Sequence, residues 1–447
     1  MRDIKRLKAN YTIDSRFYEK YEVNRGLRKK DGTGVLTGIT RIGDVRGYIL
    51  EEGEKVPVPG KLLYRGINVE KMIDACLAEK RFGFEETAYL LLFGELPDQA
   101  ELAAFSGLLR ERQNLPDNFA EDVILRAPSR NIMNKLAQCV LACYTYEANP
   151  DSNELANVLN QCIDLIARFP AMIAYAYQAK QRYYDGQGLH MNMPSSHLSL
   201  AENFLQMFRS DGQFTAAEAS ILDLALILHA EHGGGNNSSF TVHVVSSSGT
   251  DTYSAIAAAI GSLKGPKHGG ANAEVLNMMD DIKANVKDWA SREEVWDYLA
   301  KIIRKEANDG SGLIYGMGHA IYTLSDPRSE VLKKQAVLLA KEKNQEAEMN
   351  LYLLIEELAP QVFAEVKGET KVISANVDFF SGFVYQMLGI PEELCTPIFA
   401  MSRIVGWCAH RIDELINGGR IIRPAYRNAS ERVSYVPMAE RSGSGLI

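Results

Sequence analysis

The chain lacks the features by which several classes of protein are recognised. No apolar run approaches the ~18 residues of a membrane-spanning helix. Its six cysteines (Cys76, Cys139, Cys143, Cys162, Cys395 and Cys408) form no Cys-x-x-Cys pair. Reduced, buried thiols of a cytoplasmic protein are therefore expected, not a disulfide framework. There is no internal repeat, no low-complexity tract, and no Gly-x-Gly-x-x-Gly, Walker or His-Glu-x-x-His sequence. Positive charge is not in excess. The formal net charge is −8, which gives no general attraction to nucleic acid or anionic lipid but leaves room for a local basic pocket. The basic start (Arg2, Lys5, Arg6, Lys8) has no apolar segment of a secretory signal. Asp3 and the missing Ser-rich tract argue against a transit peptide.

What is present reads as a globular, mainly α protein of 447 residues, a length that favours two unequal domains. Residues 33–65 are the exception, where β-prone pieces (Gly34-Val-Leu-Thr37 and Gly47-Tyr-Ile-Leu50) are divided by Gly and Pro as in small hairpins. Amphipathic helices follow, among them 84–93, 132–146 and 154–177. Residues 281–310 carry 13 charged residues in 30, and another charged helical stretch covers 330–348. Such helices have one narrow apolar face. The expected division is a large domain, 1–271 with 381–447, and a smaller one, 272–380.

Four segments carry chemical signals. In the first, Thr215 and Glu218 form a capping box. The helix it starts is expected to stop at His232, before Gly233-Gly-Gly235, with His229 and His232 sharing its last turn. A helix C-terminus favours imidazolium, which suits an anion. Two hydrogen-bonded histidines at a helix end, or a zinc site using His229, His232 and His243, are the competing readings. The tail Asn236-Asn-Ser-Ser239 reads as polar and irregular. In the second, a helix of small residues (254–262) leads into Gly265-Pro-Lys-His268-Gly-Gly-Ala-Asn272. The next helix is expected near Ala273 or Glu274. His268 then precedes a helix N-terminus, whose positive end keeps the imidazole neutral and a donor.

In the third, Gly316-Met-Gly-His319 reads as a bared loop. Asp326-Pro327-Arg328 reads as N-cap, N1 proline and first-turn arginine. The arginine's unfavourable position calls for an anionic ligand or plain solvent exposure. In the fourth, Asp378 lies among apolar neighbours, where desolvation makes a carboxylate a stronger base; a buried helix cap is the alternative. Arg403 lies on an apolar helix face and needs a carboxylate, internal or supplied by a ligand. Arg423, before Pro424, is a weaker case. Together these groups fit proton chemistry on a small polycarboxylate.

In the order His229-Ala-Glu-His232, Gly265–Asn272, Gly316–His319, Asp326-Pro-Arg328, Asn376-Val-Asp378 and Arg403-Ile-Val-Gly-Trp407, the chain resembles the citrate synthase family from about residue 32 to about residue 430. The resemblance implies a mostly helical homodimer with the active site between a large and a small domain. It implies condensation of acetyl-CoA with oxaloacetate and water to give citrate and CoA, with no metal or tightly bound cofactor. His268, His319 and Asp378 take the catalytic places. His232, Arg328 and Arg403 are the oxaloacetate and citrate ligands. Arg423 is the arginine offered across the dimer, and Lys371 a contact to the CoA phosphates. The chain departs from the more usual His-x-Asp-His-Glu, having His229-Ala-Glu231-His232-Gly233, and again after Pro424. Propionyl-CoA in place of acetyl-CoA, as in 2-methylcitrate synthase, is the nearest alternative. A zinc hydrolase and a catalytically silent binding protein are the more distant ones.

Overall fold

The computed structural model describes residues 2–51, 54–319, 321–368 and 373–441, which fall into two bodies. The described residues up to Gly38 and from Ile422 onward form the first. It holds the helices Arg2–Tyr11 and Arg16–Lys20, and the Arg427 guanidinium lies 5.0 Å from the Tyr21 ring centre. The strand expected at 34–37 is not formed. Only Gly34 makes an isolated bridge, to Arg28, and Leu36 and Ile39 are exposed. Val35 N–H donates instead to the Leu27 carbonyl at 2.8 Å, so β-prone residues here are paired in a turn and not in a strand.

The second body, Ile39–Ile421, opens with a twisted hairpin. Strand β1 (Gly43–Glu51) pairs antiparallel with β2 (Glu54–Tyr64) in the register Val45 to Leu62, and a short β3 (Ile67–Asn68) follows. From Val69 the described chain is helix upon helix. The expected helix at 84–93 is Phe84–Phe93; that at 132–146 is Ile132–Cys143 with one 3-10 turn after it. The third runs longer than expected, over Leu155–Tyr184 (α1), and is buried along most of its length. All six cysteines are free and buried.

The helices that frame the site are α2 (Ala216–His229), α3 (Asn237–Ser246), α4 (Thr252–Leu263) and α5 (Ala271–Asn285). They are followed by α6 (Arg292–Ile303), α7 (Pro327–Glu342), α8 (Glu346–Lys367), α9 (Val377–Met387) and α10 (Cys395–Asn417). In the charged stretch, α7 packs on α9, α5 on α9 and α6 on α8. The largely apolar α10 is buried from Pro397 to Arg411 and packs on α1, α2 and α3. A helix with apolar residues on every side belongs inside, and α10, despite its buried Arg403, His410 and Arg411, is the central rod of this body. No helix among the described residues is long and apolar enough to cross a membrane.

Candidate active site

The first histidine segment does not end as the sequence suggested. Helix α2 starts on the Thr215–Glu218 capping box but stops at His229, three residues short of His232. Its last carbonyls are taken by side chains from elsewhere. The Tyr64 hydroxyl lies 2.9 Å from the Ile227 carbonyl, the Glu231 N–H donates to it, and Arg403 Nε donates to the His229 carbonyl at 2.6 Å. Those bonds replace another helical turn. Beyond the break, the chain lies against Gly406 of α10, where any side chain would strike the Ala230 carbonyl and Glu231 Oε2. His229 packs on Phe399 with ring centres 4.5 Å apart, and His232 faces His319 at 5.3 Å. Neither is imidazolium. Burial, followed by the positive charges of Arg328 and Arg403, holds both pKa values well below the usual histidine value. Desolvation here outweighs the helix dipole.

His268 lies in the turn between α4 and α5. Helix α5 begins at Ala271, earlier than expected. The imidazole is neutral as predicted, but mainly because burial, then Arg403, pushes its pKa down to about 4. Its Nε2 is 3.0 Å from Ser238 Oγ, which accepts the Trp407 indole N–H, also at 3.0 Å. Ser238 belongs to the run expected to be irregular. Instead Asn236 is an N-cap, accepting the Ser238 N–H, and Asn237 starts α3.

The His319 loop and the Asp378 segment are zipped together. Met317 bridges Ala375, Gly318 N–H donates to the Ser374 carbonyl (2.7 Å), and Asn376 N–H donates to the Gly316 carbonyl (2.8 Å). His319 Nδ1 accepts the backbone N–H groups of Ile321 and Tyr322, each at 3.1 Å. That arrangement places the ring proton on Nε2. Burial, with Arg328 adding to it, brings the His319 pKa down to about 4. Asp378 sits in the first turn of α9, after its N-cap Asn376. Burial raises its pKa to about 6; Asp326 adds to the rise, and Arg328 and Arg403 oppose it. His268, His319 and Asp378 are each only partly buried, whereas His229, His232, Arg328 and Arg403 around them are buried.

The two arginines behave differently. Arg328 needs neither a ligand nor solvent to balance its place at a helix N-terminus. It is 3% exposed and grips its own N-cap, Asp326, through Nε (3.0 Å) and Nη2 (2.8 Å). Arg403 is 0% exposed, and no carboxylate among the described residues holds it: Nη1 and Nη2 are both buried without a partner there. A buried guanidinium with two open donors is costly unless an anion arrives. His232 Nε2 is buried and unpartnered as well.

The remaining expectations separate. His243 does not join His229 and His232 as a zinc ligand; its Nε2 meets His410 Nδ1 at 3.0 Å and its Nδ1 meets Glu414 at 2.7 Å. Arg423 is exposed and belongs to the first body. Lys371 lies outside the described residues. Two groups beside the site carried no sequence signal of their own. Ser238 is one. The other is Tyr322, whose ring stacks on His319 at 4.8 Å and lies 5.7 Å from the Arg328 guanidinium. Three residues from His319 in a loop, an aromatic is unremarkable until the fold stacks it.

The family model described as citrate synthase, C-terminal domain, matches residues 31–425. A citrate synthase of Synechocystis sp. is 33% identical over 86% of this chain and 88% of its own length. A 2-methylcitrate synthase of Shewanella oneidensis is also 33% identical, over 85% of this chain and 92% of its own. Among solved structures, the ternary complex of carboxymethyl coenzyme A and oxaloacetate with citrate synthase from Thermoplasma acidophilum superposes with a TM-score of 0.74. It covers 94% of this chain and 99% of that one at 28% identity. The match spans the whole second body, including every buried group described above, and the chain belongs to the citrate synthase family, acyltransferases that form citrate by condensation.

Proposed function

We propose that this protein is a citrate synthase that joins the methyl carbon of acetyl-CoA to the carbonyl carbon of oxaloacetate. The observation that carries the reading is the open, buried fork of Arg403 among neutral imidazoles, a place built for a carboxylate ligand. Oxaloacetate supplies that carboxylate, with Arg328 and His232 beside it. Asp378 takes a proton from the thioester methyl group. His268 passes its ring proton to the thioester oxygen as the methyl proton leaves, so the product of this step is the enol. A weakly acidic C–H gives way only when base and oxyanion donor act together. His319, with its proton on Nε2, polarises the oxaloacetate carbonyl. The enol carbon attacks as its hydroxyl proton returns to His268, the carbonyl oxygen takes the Nε2 proton of His319, and water then hydrolyses the citryl thioester to citrate and CoA. These side chains supply acid, base and anion binding, so the scheme requires no resident cofactor. Arg423, exposed in the chain-end body, fits an arginine offered to the site of a second copy in a homodimer.

Propionyl-CoA is the competing thioester, because relatives at equal identity bear both names. The two acyl chains differ by one methylene, worth about 1–3 kcal/mol of discrimination. Steady-state kcat/KM with each thioester at saturating oxaloacetate decides. Acetyl-CoA is expected to be preferred by roughly tenfold or more. A preference for propionyl-CoA would make the protein a 2-methylcitrate synthase, and no CoA release from either would end the reading.

A further inference from the structure

Behind the site, a second group of titratable side chains is left unused by this chemistry. His410 on α10 is 0% exposed, and its Nε2 lies 2.9 Å from Oε1 of the equally buried Glu231. Its other nitrogen, Nδ1, faces Nε2 of His243 on α3 at 3.0 Å. The far nitrogen of His243 is in turn held by Glu414 at 2.7 Å. Each imidazole thus has one nitrogen fixed by a carboxylate and the other turned toward the second ring. This is how proteins orient histidines that bind metals, since the outer carboxylate fixes the tautomer and raises the basicity of the ligating nitrogen. A carboxylate oxygen of Asp413 completes the set: the three ligand atoms of His243, His410 and Asp413 lie within 4.8 Å of one another. Space beside the rings is kept by Gly234, where even a Cβ would come to 3.4 Å from His410 Cε1 and 3.7 Å from His243 Nε2.

We infer that His243, His410 and Asp413 form a site for a divalent transition-metal ion of the zinc type, distinct from the catalytic groups. Two imidazoles and one carboxylate suit zinc, with a fourth position open to water. The ion lies between the two facing ring nitrogens, which bind it in their unprotonated form, so any proton they share is released on uptake. Glu231, one residue from His232, connects the metal position to the keto-acid end of the active site through His410.

The test uses untagged, full-length protein, stripped with chelator and titrated with zinc sulfate by calorimetry. The expected result is one zinc ion per chain at micromolar affinity or better. Asp413→Asn, at a partly exposed position, and His243→Gln should each weaken it tenfold or more. Cobalt(II) gives a second readout, a visible ligand-field spectrum in the parent protein that His243→Gln abolishes. Circular dichroism confirms that each variant is folded, and Asp413→Asn serves alone if His243→Gln is not. No uptake by the parent protein, or uptake unchanged in a folded Asp413→Asn and in His243→Gln, overturns the inference.

Discussion

At the scale of single residues, Asp378 is a carboxylate held where it is least comfortable. Its pKa, raised to about 6 from an ordinary 3.8, means that the native state binds its proton more tightly than the unfolded chain does. Stability is therefore lost as pH rises from about 4 through 6, and the loss is complete above that, at roughly 1–3 kcal/mol. Asp378→Asn should accordingly melt at a higher temperature than the parent protein at about pH 8 and at the same temperature below about pH 4. Its kcat should fall roughly 10²–10⁴-fold. Thermal melts at the two pH values, set beside turnover, check this, and a variant that is both active and unshifted would remove Asp378 from the role of base. In the parent protein, kcat/KM should decline as pH drops through about 6. His268 and His319, with pKa values near 4, stay neutral across that range and leave the acid limb to the carboxylate.

At the scale of elements, the capping signals were legible because they are local. Thr215 with Glu218, and Asp326 with Pro327, mark α2 and α7 where the sequence placed them. The candidate residues of the second body also converge, since His232, His319, Arg328, Arg403 and Asp378 perturb or touch one another. The end of α2 was not legible. It is fixed by Tyr64 and Arg403, each more than 150 residues away, and no local pattern reports such partners. The charge states of His229 and His232 escape a local reading for the same reason, because burial and two distant arginines set them. Gly316 shows an element-scale constraint that can be tested. Its φ is +77°, and a Cβ there would lie 2.8 Å from Phe379. Gly316→Ala should cost about 1–3 kcal/mol from the backbone alone and more from the collision. It should also lower kcat, because the His319 loop is pinned to the segment entering α9. Gly389→Ala, with a φ of +68° and open space around it, should lose stability but keep kcat. Equal kcat in both variants would show that the zipper does not position His319.

At the scale of the whole second body, one carboxylate ties distant parts of the chain. Glu218 at the start of α2 holds Arg209 at 2.8 Å and Lys343, just past α7, at 2.7 Å; Arg209 also donates to the Leu388 carbonyl beyond α9. Burial alone would raise the Glu218 pKa, but the hydrogen bonds from Arg209 and Lys343 prevail and bring it to about 2. The native state therefore binds this proton more weakly than the unfolded chain. The resulting stability is full above about pH 4.5 and is lost as pH falls toward 2. Glu218→Gln should lower Tm at neutral pH by several degrees, with a difference that narrows steadily under acid. A gap independent of pH would mean that packing, not charge, is what the substitution disturbs.

The bare fork of Arg403 has a practical consequence at the bench. An unmatched cation sealed inside a protein accepts whichever small anion diffuses in first. Phosphate and sulfate buffers should therefore compete with the keto acid and make it look like a poorer substrate than it does in zwitterionic sulfonate buffers. Affinities gathered under the two regimes would then differ without any difference in the enzyme.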